Sequence, residues 1–233
     1  MSNQVKGMLY LFAMEFRYSI LVFWSILLSI LLVFLLFCYY VISPADGSFF
    51  FGFPFAIYFY CGVLGFMAVK EIVPFALKIG ATRRNYYIAA GLFFLGLSAF
   101  FSFAANTIQS LVTVLIDGTR VESMQFIHLA NFLGGTWVDR FVTDLSVMFL
   151  LMTILFLTGL VFYKYGQLGG GILIGLAAAV VLAGVAQGWL IAGIIELFAD
   201  INILFFYQVL LLGLILYALS FVMLRDISIT KRK

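Results

Sequence analysis

The sequence predicts an all-α polytopic membrane protein with six transmembrane helices and both termini cytoplasmic. Three observations predict it: the composition, the number of apolar runs long enough to cross a bilayer, and the way basic residues divide between loops. Of 233 residues, 65% are hydrophobic and 10% charged, against roughly 45–50% and about 25% in an average soluble domain. A chain of this size cannot bury so much apolar surface in a core of its own, because surface shrinks too slowly with size. Lipid must be part of its solvent.

A spanning helix needs about 20 apolar residues. Six stretches supply them: residues 18–42, 49–69, 86–116, 141–163, 168–195 and 203–224. The third and fifth are long enough to tilt or to project beyond the bilayer. The first is longer than the apolar core of about 7–15 residues in a removable signal, and is expected to remain as a span. With the N-terminus inside and six alternating crossings, the inner segments hold eleven Lys and Arg and three acidic residues. The outer segments hold two basic and seven acidic residues. It is the basic bias that sets orientation, and adding or removing one span would scramble it.

Taking the elements in order, Val5, Met8, Leu9, Phe12 and Phe16 make one helical stripe ahead of the first span. Residues 1–17 are thus either an amphipathic helix lying in the interface or an extension of that span. Ser43–Gly47 is an outer turn. Residues 70–85 form the longest charged interruption on the inner side. There Pro74 suits a first helical turn and Phe75, Ala76 and Ile79 form an apolar face. Gly80 is placed to end the helix, and Thr82 to cap the next. Lys70, Lys78, Arg83 and Arg84 flank it, which predicts a short amphipathic helix under the membrane.

The third span carries Ser98, Ser102, Asn106, Gln109, Ser110 and Thr113 within one sector. Such a stripe avoids lipid, and either bonds to neighbouring helices or lines a transport path. The outer stretch 117–140 is too evenly mixed to span. Met124, Ile127 and Leu129 are placed to dip into the interface as a short helix, with Gly134-Gly135 ending it. Residues 164–167 make a tight inner turn. The fifth span sets Gly171, Gly175, Ala179 and Ala183 at successive fourth positions, the spacing of close helix packing. Gln187 ends that row and faces either a packed helix or a cavity, as does Gln208 in the last span.

Little of this carries chemistry. Cys38 and Cys61 fall in apolar runs without metal-type spacing and read as small packing residues. His128, the only histidine, has no partner set of metal-ligand spacing and is expected at the surface or interface. Asp139 and Asp144 make an acidic pair or are simply solvated at the outer end of the fourth span. The chain has no phosphate-binding loop, no nucleophile elbow and no zinc-protease motif. No carboxylate or lysine is expected at the centre of a span, where an ion-coupling site would put one. Catalytic residues, metal and cofactor are therefore all expected to be absent from this chain, nothing points to nucleic acid, and any energy must come from another chain.

The six spans, the N-terminal stripe and the inner helix between the second and third spans together resemble the permease subunits of ABC-2-type (type V) exporters. The run PFALKIGATRRNYY is similar to the coupling segment of small permeases from Gram-positive bacteria, where an apolar helix is followed by G-x-[ST]-R-[KR]. The resemblance implies that Pro74, Phe75, Ile79, Thr82, Arg83 and Arg84 form a coupling site for a separate cytosolic ABC ATPase, a dimer carrying ATP and Mg. It also implies a second permease chain, identical or related, and a multi-pass place in a bacterial cell membrane. The polar candidates for the substrate path are Ser98, Ser102, Asn106, Gln109, Thr113 and Gln187. The cargo would be an amphipathic peptide or lipid-like molecule, as in peptide export or immunity. One feature departs from the pattern: many relatives carry their large outer element between the fifth and sixth spans, not after the third. The competing reading is a non-transporting scaffold or regulatory subunit, in which the polar stripe is packing and the inner loop an anchor.

Overall fold

The computed structural model describes residues 3–42, 49–117, 124–133, 136–199 and 201–225. With a single glycine and no proline over residues 3–37, the first helix has nothing to stop it. Helix α1 runs unbroken over Asn3–Phe37 and ends in a π-helical stretch, Cys38–Ile42. No boundary sets residues 1–17 apart as an interfacial helix; of the two expectations, the extension is the one found. The predicted stripe of Val5, Met8, Phe12 and Phe16 is buried against protein rather than the lipid interface. Phe12 stacks on Phe93 at 5.0 Å between ring centroids and sits 5.6 Å from Tyr86.

Strand β1 (Phe49–Phe51) leads into α2 (Phe53–Met67), which carries Pro54 in its first turn. A π-helical stretch, Ala68–Ile72, joins α2 to α3 (Val73–Lys78) without a break. Gly80 closes α3 at a φ of 83°, a conformation glycine adopts at no steric cost. Thr82 then caps α4 (Arg83–Ile116) by accepting from the Asn85 N–H at 3.3 Å. The local punctuation is as expected, but α3 continues α2 instead of standing as a separate helix.

The outer segment departs further. Strand β2 (Met124–Phe126) pairs in parallel with β1, Phe49 opposite Met124 and Phe51 opposite Phe126. A 3₁₀ turn follows at Leu129–Phe132. The expected short helix is thus a strand and a tight turn, with Met124 and Phe126 buried and Ile127 exposed. The turn 43–47, glycines 134 and 135, and basic residues 231–233 lie outside the described residues.

The fourth and fifth predicted spans become one run, α5 (Trp137–Ala186). A capping box between Thr136 and Asp139 starts it, and a single non-helical residue interrupts it, Gly166 at φ 71° and ψ −168°. The chain folds back tightly there, since a Cβ on Gly170 would lie 2.3 Å from the Phe162 ring. Gly188, at φ 79°, splits the predicted fifth span again. Beyond it α6 (Trp189–Ala199) folds against the end of α5, where a Cβ on Gly184 would lie 2.7 Å from Trp189. Helix α7 (Ile203–Arg225) completes the bundle. Among the described residues, five helices are long and apolar enough to cross a membrane, α5 counting as one of them.

The first half of α5 is the central column, packed on α2, α4 and α7. Glycines permit the closest approach. A Cβ on Gly65 would lie 2.2 Å from the Met152 carbonyl oxygen, and one on Gly159 3.0 Å from Val69. Helices α4 and α7 are clasped by two tyrosines: the Tyr87 hydroxyl donates to the Tyr217 carbonyl at 2.7 Å, and Tyr217 returns the bond to the Tyr87 carbonyl at 2.6 Å. At one end of the bundle, Asn85 bonds to Gln4 and Arg83 donates to the Arg225 carbonyl at 2.9 Å. These bonds gather the start of α1, the α3–α4 turn and the end of α7. The Gly166 turn shares that end, with Phe162 against Phe66 at 5.7 Å. Strands β1 and β2 and the start of α5 occupy the other.

Candidate functional site

Two places stand out, one at each end. At the basic end, α3 turns two apolar side chains outward: Phe75 is 50% and Ile79 59% exposed, whereas Val73 and Ala76 are buried. Ala76, expected on the outward face with them, is therefore part of the core. Pro74 is half-buried, and Thr82, Arg83 and Arg84 are exposed. The helix is tied to the bundle at its root, where the buried Tyr86 hydroxyl of α4 donates to the Ala68 carbonyl in the π-helical stretch at 2.8 Å.

At the opposite end lies a polar cluster inside the bundle. Asp144, two turns into α5, is fully buried, and so is His128. Both corrections have one cause: the segment 124–132 folds into the mouth of the bundle, so a loop histidine and a helix-end carboxylate meet out of water. Tyr58 of α2 donates to Asp144 Oδ1. Asn106 of α4 donates to Oδ2 at 2.7 Å. His128 Nε2 lies 3.0 Å from Oδ1, its N–H off the line of the oxygen.

The backbone N–H of Ala130 donates to His128 Nδ1 at 2.9 Å. Nδ1 is thereby an acceptor, and the proton of the neutral ring belongs on Nε2, facing the carboxylate. Asp144 thus accepts two hydrogen bonds, from Tyr58 and Asn106, with the His128 imidazole 3.0 Å away, surroundings that make a buried carboxylate tolerable. Asp139, its expected acidic companion, is instead the N3 residue of the capping box that Thr136 begins at the start of α5. The sequence did hold a signal for the cluster: an aspartate within a predicted span, and an asparagine in another.

The polar stripe of α4 faces α5 and is used in packing. Ser102 donates to the Phe141 carbonyl at 2.8 Å, and Asn106 to Ser102's own carbonyl at 2.8 Å as well as to Asp144. Ser98 turns back on Leu95 at 3.1 Å, and Gln109 is buried. Ser110 accepts from Arg140 at 3.2 Å. Thr113 and Gln187 are exposed. Ser98, Ser102, Asn106 and Gln109 are thus buried; Ser102 and Asn106 bond to α5, and Ser98 bonds within α4. Gln208 borders an open cleft between α6 and α7 with Glu196 and Asn202.

Among the described residues nothing packs on the row Gly171, Gly175, Ala179, Ala183: all four are exposed, and a Cβ on either glycine would meet no atom within 4 Å. Glycines that do pack closely between helices include Gly62, Gly65, Gly91 and Gly159. No family model, curated protein or solved structure matches this chain.

Proposed function

We propose that the chain is the membrane-spanning permease subunit of an ABC exporter, driven by a separate cytosolic ATPase dimer that supplies ATP and Mg. The observation that carries this is α3, the continuation of α2 just ahead of α4, which holds Phe75 out of the core, with Ile79 exposed at its C-cap, while Val73 and Ala76 are buried. An apolar pair rooted in this way would transmit a push, because the Tyr86–Ala68 bond and the packing of Val73 and Ala76 connect it to α4 and α2. Counting α5 as two crossings about Gly166 would make six spans, and the charge count supports both ends on the cytoplasmic side.

Because the α4 stripe is used in packing, the route for an amphipathic peptide or lipid-like cargo runs along faces that this chain leaves open. That calls for a second permease chain. The same packing favours the competing reading, a scaffold or regulatory subunit, and the test separates them. Purified with its native partners, the protein is expected to bring down a phosphate-loop ATPase. Phe75→Ala/Ile79→Ala should abolish transport-linked ATP hydrolysis without loss of expression, since neither side chain supports the core. Wild-type-like transport by that variant would sink the coupling role, and absence of any ATPase partner would favour the scaffold.

A further inference from the structure

Beside α3, at the basic end of the bundle, is an open cavity of about 620 Å³ that the coupling role does not explain. Three guanidiniums line it, Arg83 and Arg84 from the first turn of α4 and Arg225 from the last turn of α7, with Leu77 and Phe221 as apolar wall. Among the described residues none of the three has a carboxylate within ion-pairing distance. Arg83 gives one of its five N–H donors to the Arg225 carbonyl, which joins the two elements and leaves the fork's other donors free. Three like charges around one cavity repel one another, and the N-terminus of α4 adds partial positive charge. The site is built for an anion.

We propose that this cavity binds the phosphate headgroup of an anionic phospholipid. The apolar wall decides for a lipid over a free ion: Leu77 and Phe221 are partly buried beside the guanidiniums, so a ligand that fills the cavity presents a phosphodiester to the arginines and a glycerol–acyl junction to the wall. Guanidinium forks suit phosphate oxygens, and basic pockets between spanning helices are where such headgroups lodge. The bound lipid would bridge the α3–α4 turn to the end of α7. Lipid binding here does not depend on an ATPase docking at α3.

The test uses the full chain alone, in nanodiscs of phosphatidylcholine with phosphatidylglycerol, released intact into a mass spectrometer. The wild type is expected to retain a phosphatidylglycerol molecule. Arg84→Gln/Arg225→Gln should lower that occupancy about tenfold or more, as loss of two guanidinium contacts implies. Lys6→Gln and Lys78→Gln, which remove the same charge outside the cavity, should leave retention unchanged and also report that the fold tolerates such changes. Equal loss in those controls would mean diffuse attraction and overturn the site. Displacement of the lipid by millimolar inorganic phosphate would overturn the lipid assignment. Unchanged retention in the arginine variant would overturn the assignment of the site to these guanidiniums.

Discussion

The buried carboxylate offers the sharpest test of the structure, through Asp144→Asn and His128→Ala. Asparagine keeps the shape of the side chain but has one acceptor where aspartate has two. With its oxygen kept towards Tyr58 and His128, its NH₂ would face the NH₂ of Asn106. Turning Asn106 over would relieve that clash, because its Oδ1 has no hydrogen-bond partner. The turn, however, takes the Asn106 NH₂ away from the Ser102 carbonyl, which it now meets at 2.8 Å. Either way one bond to a charged group is lost and the remaining bonds become neutral ones. A hydrogen bond to a charged group is worth about 1.5–3 kcal/mol, so Asp144→Asn should cost about 2–4 kcal/mol.

His128→Ala removes the imidazole beside Asp144 and leaves the buried Ala130 N–H without its acceptor, at about 1–3 kcal/mol. Thermal unfolding of the purified protein is the assay; at about 2–4 °C per kcal/mol for a chain of this length, Asp144→Asn should lower Tm by roughly 4–16 °C. The double variant should fall short of the sum by about 1 kcal/mol or more, because the two residues share one interaction. Single changes within about 0.5 kcal/mol of wild type, or strict additivity, would refute the clustered carboxylate.

Two glycine predictions follow from the backbone. Gly166→Ala should destabilise by about 1–3 kcal/mol, because φ 71° with ψ −168° is a region that essentially only glycine occupies. Gly171→Ala, with open space around it, should stay within about 0.5 kcal/mol in the isolated chain, and the pair of melting curves checks both. Gly65→Ala places a methyl against the Met152 carbonyl oxygen and must push α2 off α5. It is expected to cost at least the 1–3 kcal/mol typical of overpacking, read as loss of monodisperse protein in size-exclusion chromatography.

Much of the fold was legible because it is written in local signals. The punctuation of α3 is one case: Pro74, Gly80 and Thr82 act through their own backbone, so each position could be assigned without a partner. The lengths of α4 and α7 are another, since an uninterrupted apolar run in lipid must satisfy its backbone within the helix. The start of α1 was half-legible. Its stripe was visible, but a stripe looks the same whether it meets headgroups or, as here, Phe93 and Tyr86 of α4.

Sequence alone therefore determined that this is a helical protein dissolved in lipid, where its apolar runs lie, and where Pro74, Gly80 and Thr82 punctuate the backbone between α2 and α4. Tertiary structure decided which side chains meet. Identical spacing of small residues was read as packing at Gly171 and Gly175, yet the packed glycines are Gly65 and Gly159, because what makes a glycine a contact is the backbone opposite it. Likewise His128 and Asp144 each looked like interfacial residues. Burial changed them into one unit with Tyr58 and Asn106, since the free energy of a charged side chain depends on what surrounds it. Four separate elements supply those surroundings, and only the folded chain brings them together.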